Sequence, residues 1–80
     1  MERVNSDLVR AFAKALTEAR AEAGISQELL AERANISTRH VSYLENGARQ
    51  PTLTIFQALC VGLGIPMSDL VRRVEDCLKS

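Results

Sequence analysis

Eighty residues, 46% of them hydrophobic but only 4% aromatic, make one small domain with an aliphatic, helical core rather than a β-sandwich. Ten basic and ten acidic residues cancel to a formal net charge of zero, which argues against a nucleic-acid partner unless the basic residues gather on one face. The most apolar run, Leu53 to Met67, contains Gln57, two glycines and a proline and falls short of the ~20 residues a bilayer needs; the N-terminal MERVNSDLVR has no apolar signal region, so a cytoplasmic protein is expected.

In chain order, Met1 to Asn5 is expected to be a loose tail, followed by a first helix over about 6–23. Leu8, Phe12, Ala15, Leu16, Ala19 and Ala23 recur at three and four residues and predict one buried stripe. Arg10, Lys14, Glu18 and Glu22 fall opposite, and Gly24 ends the helix. Arg20 lies one turn beyond Leu16, on the shoulder of the apolar face, where a guanidinium needs a partner.

Ser26 is a good cap for a second helix over about 26–34, with Leu30, Ala31 and Ala34 facing inward. Gln27 sits in its first turn. Its amide either binds a DNA phosphate there and reaches the next helix, or is simply solvated. Asn35 takes the left-handed conformation that ends this helix, and Ser37 restarts a third over about 37–46, in which Val41 and Leu44 face inward. Two short helices with so tight a joint predict a helix-turn-helix, whose second helix enters the major groove of DNA.

With Val41 and Leu44 buried, Arg39, Ser42 and Tyr43 turn outward and Thr38 stands at the exposed N-terminal end. Arg39 suits a bidentate contact to guanine, Thr38 a thymine, and Ser42 and Tyr43 base edges. Ser37 and His40 lie toward the flanks, with His40 either donating to phosphate or idle. Asn46, Gly47, Ala48, Arg49 and Gln50 form an exit loop stiffened by Pro51. Asn46, Arg49 and Gln50 are candidate phosphate contacts, although the same residues are also ordinary turn chemistry. Between Arg33 and Pro51 the charges are Arg33, Arg39, Arg49 and one acid, Glu45, which leaves room for a local basic face. Glu45 occupies a shoulder one residue past Leu44, matching that of Arg20.

Thr52 caps a fourth helix over about 52–63, with Leu53, Phe56, Leu59, Cys60 and Leu63 along one side and Ile55 pointing elsewhere. Pro66 opens a fifth over about 66–78, whose stripe of Met67, Leu70, Val71, Val74, Cys77 and Leu78 is wide for so small a domain. Ile55, Val71, Val74 and Leu78 therefore make either a two-fold dimer contact or ordinary core. Cys60 and Cys77 lack metal-ligand spacing and His40 is on another helix, so neither a metal nor another cofactor is expected. There is no Gly-rich phosphate loop and no nucleophile, base and carboxylate set, so an enzyme is not expected.

The run SQELLAERANIS resembles the helix-turn-helix of the phage-repressor (Xre/Cro) family, and VSYLENGARQPTL is similar to the segment that follows it. The resemblance covers about Arg20 to Leu70, with Gln27, Ala31, Ser42, Glu45, Gly47 and Pro51 in register. Asn35 stands where the family usually has glycine, and Leu29 where a polar residue is commoner. The resemblance implies an all-α, five-helix, lambda-repressor-like DNA-binding domain, an Arg20 to Glu45 ion pair, and an exit loop that grips phosphates. It further implies a homodimeric transcription regulator on double-stranded DNA, of the phage-repressor or restriction-modification controller kind; no small-molecule ligand is evident from the sequence. An antitoxin or a bridging protein-interaction module would use the same fold.

Overall fold

In the structure, a computed structural model that describes residues 5–79, the chain forms five helices: α1 (Ser6–Ala23), α2 (Gln27–Ala34), α3 (Thr38–Glu45), α4 (Leu53–Leu63) and α5 (Met67–Lys79). There is no strand among the described residues. Short polar side chains set where four of the helices begin. Asn5, Ser26, Ser37 and Thr52 lie in extended backbone and accept from the amides of Leu8, Leu29, His40 and Ile55 at 3.0–3.1 Å. Ser26 and Thr52 are thus the caps that the sequence predicts, and Ser37, where the third helix restarts, is likewise a cap just outside it. Asn5 does not belong to a loose tail, because it caps α1; the remainder of that expected tail, residues 1–4, lies outside the described residues.

The ends of α1 to α4 share one device. The amides of Ile25, Ile36, Ala48 and Ile65 reach back to the carbonyls of Arg20, Ala31, Tyr43 and Cys60, at 3.4, 3.0, 2.9 and 3.1 Å, across a residue with positive φ. Asn35, at φ 59°, is the one such residue that is not glycine among those described. Its short amide tolerates the left-handed region, which is why the turn between α2 and α3 forms without glycine. Ile25, Ile36 and Ile65, each just past its turn, pack against the core, so every one of these stops also sets the direction of the next helix.

Each helix contributes one fully buried leucine: Leu16, Leu30, Leu44, Leu59 and Leu70. Helix α1 packs on α5 and α3, while α2 packs on α4 and α3. Because α1 is covered from two sides, its buried face is wider than one stripe. Val9, Ala11 and Ala13 are buried, whereas Leu8, at 42% exposure, and Ala23 lie outside the core, contrary to the periodicity. Leu53 also departs from its expected place: at 77% exposure it begins a row with Gln57 and Val61 on the face of α4 turned away from the core. Val74, which the pattern offered to a dimer contact, is only 7% exposed and belongs to the domain's own core, because α5 lays that side on α1. Ile55 is partly buried and also packs against this core.

Polar side chains also tie α5 to α1 and α2 to α4. Arg73 donates to both oxygens of Glu22 at 2.7 and 2.8 Å, joining α5 to α1. Those hydrogen bonds lower the Glu22 pKa, so this contribution is present above the ordinary carboxylate range and is lost as pH falls through the lowered value. Arg33 donates to the carbonyl of Gly62 at 3.2 Å, joining α2 to α4. At Gly62 the two helices approach closely: a Cβ there would stand 2.9 Å from Leu30 Cδ1 and 3.2 Å from Arg33 Cβ. Leu30 is fully buried, so making room for that Cβ would shift its side chain within the packed core. Gly62→Ala is therefore expected to destabilise by about 1–2 kcal/mol, the overpacking outweighing the better helix propensity of alanine. Urea denaturation checks this, and a more stable variant would show that the approach relaxes freely. Cys60 is buried among apolar neighbours, which pushes its thiol pKa up and suits a core residue. Among the described residues no single helix is long and apolar enough to cross a membrane.

Candidate nucleic-acid interface

Helix α3 is oriented from below by two fully buried residues, Val41 and Leu44. One helical turn is 3.6 residues, so seating these two turns Arg39 and Tyr43 to the opposite side, and Thr38 stands at the open N-terminal end of the helix; all three are exposed. Ser42 and His40 are half-buried on the flanks. The Oγ of Ser37 accepts from the amide of His40 at 3.0 Å, so this side chain is engaged as a cap. Asn46 Nδ2 donates to Ser42 Oγ at 3.4 Å across one turn.

The C-terminal end of α3 is held by a cluster of three polar side chains. Arg20 Nε donates to Glu45 Oε2 at 2.6 Å, and Arg20 Nη2 donates to Glu45 Oε1 at 3.0 Å. Arg20 Nη1 donates to the carbonyl of Ile25 at 2.9 Å, which ties in the turn before α2. Gln27 Nε2 donates to Glu45 Oε1 at 2.9 Å. Glu45 thus takes three hydrogen bonds from two other elements, and its side chain is only 4% exposed. These bonds raise the Arg20 pKa, the hydrogen bond to Glu45 outweighing the desolvation that opposes it. One amide hydrogen of Gln27 is committed to Glu45, and its second N–H remains for an outside acceptor.

This cluster alters the charge that α3 presents. Glu45, the one acid between Arg33 and Pro51, keeps its side chain turned inward and paired with Arg20. Arg33 is turned to α4 and does not belong to the α3 face. The exposed charges of α3 and its exit loop are therefore Arg39 and Arg49, both positive, in a chain of zero net charge. Arg49, Asn46 and Gln50 are exposed in the loop after α3. The Arg49 guanidinium carbon lies 5.4 Å from the centre of the Tyr43 ring. Composition alone signals neither this stacking nor the contact of Gln27 with Glu45, since each depends on how a loop or turn folds back on α3.

A second feature lies behind the loop. Leu8, Val9, Phe12, Pro51, Phe56, Val71, Val74 and Leu78, with Gln50 and Glu75 at its edge, line an apolar groove of about 420 Å³. Val71 and Leu78 are about half exposed there, Val74 forms part of the buried floor, and the Phe12 and Phe56 rings meet at 5.8 Å. The described residues contain no group of His, Cys, Asp and Glu that would hold a metal ion.

Two consecutive short helices, joined by an αL residue and presenting an exposed basic face, define a helix-turn-helix domain of the DNA-binding regulator class. The chain belongs to the helix-turn-helix family, of the Xre-like phage-repressor type: the family model described as "Helix-turn-helix" matches residues 7–70. A comparison with curated protein sequences found no match. Among solved structures, the chain is similar to the clp gene regulator ClgR from Corynebacterium glutamicum, with 27% identity, a TM-score of 0.82, and coverage of 94% of either chain. It is also similar to the restriction-modification controller protein C.Esp1396I, with 20% identity, a TM-score of 0.86, and coverage of 91% of this chain and 96% of that one.

Proposed function

We propose that this protein is a cytoplasmic transcription regulator and not an enzyme, and that it binds as a homodimer to a DNA operator with two-fold related half-sites. The observation that carries this reading is the α3 face. Its exposed residues are Thr38, Arg39 and Tyr43, its acid is sequestered beneath by Arg20, and its underside is locked to the core. Such a helix offers side chains able to read base edges on a rigid support. The likeness to a gene regulator, ClgR, supports the same role, and the likeness to a controller protein supports the fold.

In this reading Arg39 contacts a base, most suitably guanine, with Thr38 and Ser42 beside it, and Tyr43 lies next to Arg39 on the same exposed ridge. Gln27, through its second amide N–H, holds phosphate together with Ser37, His40, Asn46, Arg49 and Gln50. The partner copy seats on the groove edged by Val71 and Leu78, since two half-sites about 34 Å apart require a two-fold protein. No small-molecule ligand, metal or membrane enters this function.

Selection of binding sites from random duplex DNA tests it, and an enriched two-fold repeat is the expected result. On the selected operator, Arg39→Ala should cost about 1–3 kcal/mol and flatten discrimination at one position in each half-site. Circular dichroism first establishes that the variant is folded. Equal weakening on every sequence would assign Arg39 to the backbone. No enrichment even at low salt would favour a protein-interaction module, such as an antitoxin.

A further inference from the structure

Arg49 lies in an exposed loop, and among the described residues it makes no hydrogen bond or ion pair. A long side chain in that setting ordinarily samples many rotamers and loses that freedom on binding. Here the guanidinium is instead held at 5.4 Å over the ring of Tyr43. A guanidinium over a ring face is attracted by the ring quadrupole without committing its N–H donors to a protein acceptor, so they stay available for an outside one. Tyr43 is itself seated on α3 one turn beyond Arg39, about 6 Å along the same ridge. Its anchoring comes from Val41 and Leu44 beneath, so the ring is a more rigid support than the loop that carries Arg49.

We infer that Tyr43 is a positioning residue, whose ring aligns the exit-loop guanidinium of Arg49 with the recognition-helix ridge before DNA arrives. This rests on the DNA-binding reading above and deepens it, because Tyr43 then acts through Arg49 and its hydroxyl touches no base. The ring, not the hydroxyl, is the working part. A phenylalanine has the same negative face and keeps the function, whereas an aliphatic residue of similar bulk does not.

The test uses the full chain with Tyr43→Phe, Tyr43→Leu, Arg49→Ala and the Tyr43→Leu/Arg49→Ala double variant. In free protein, NMR should show the Arg49 side-chain protons shifted upfield by the ring current in wild type and Tyr43→Phe, and unshifted in Tyr43→Leu. On the selected operator, Tyr43→Leu should weaken binding about fivefold, equivalent to ~1 kcal/mol, while Tyr43→Phe stays within about twofold of wild type. The double variant should bind no more weakly than Arg49→Ala alone, since the ring acts only through Arg49. A Tyr43→Phe loss as large as that of Tyr43→Leu, or additive losses in the double variant, would overturn the inference and give Tyr43 a direct DNA contact. Absence of the upfield shift in wild type would overturn it in free protein, whatever DNA binding shows. A normal shift in a wild type that binds no duplex would instead overturn the DNA-binding reading, and the positioning role with it.

Discussion

Glu45→Gln is expected to lower stability by about 3–5 kcal/mol, the usual cost of breaking a buried ion pair from one side. Three donors from Arg20 and Gln27 converge on two carboxylate oxygens that are almost wholly shielded from water. An amide offers one acceptor, turns an N–H toward a donor, and leaves the Arg20 charge without its counter-ion. In a domain of this size the loss corresponds to a fall in melting temperature of at least about 12 °C. The effect should extend to DNA, because the same contacts hold the end of α3 against α1 and the start of α2. Arg20→Gln should behave alike, and the double variant should cost less than the two single losses added together. Unchanged melting of Glu45→Gln would reduce the cluster to an incidental surface pairing.

Leu78→Asp should give a folded monomer whose affinity for a complete two-fold operator is about 10²–10⁴ lower, since each half-site is then engaged without the other. Leu78 is 44% exposed at the rim of the apolar groove, so the new carboxylate keeps its water in the monomer and is disfavoured only where a second copy covers it. Val71→Asp, at 45% exposure on the same rim, should act in the same way. Val74→Asp should not. Its side chain belongs to the core at 7% exposure, and a charge there unfolds the domain. Sedimentation with circular dichroism separates the outcomes. A folded Leu78→Asp protein that remains dimeric, or a wild-type monomer that binds the full operator tightly, would remove this groove as the dimer face.

What the sequence determined by itself is local. Helix starts at Ser26, Ser37 and Thr52 follow from hydrogen bonds reaching only three residues along the chain. The stop at Asn35 follows from one residue's tolerance of positive φ, and the outward face of α3 from the spacing of Val41 and Leu44. The Arg20 and Glu45 contact was legible because each charge sits on the shoulder of an apolar stripe, where burial calls for an opposite charge. Periodicity nevertheless reports only which residues share a side, and not how far a neighbouring helix extends over it. Tertiary structure alone therefore decided that Leu8, Leu53 and Val61 stay exposed while Val74 is consumed by the core. It decided equally that Gly62 admits α2 at close range, that Arg33 turns to α4, that Gln27 joins Glu45, and that Arg49 folds back over Tyr43. Each of these contacts joins separate elements of the chain, and so depends on where packing of the shared core places one element relative to another.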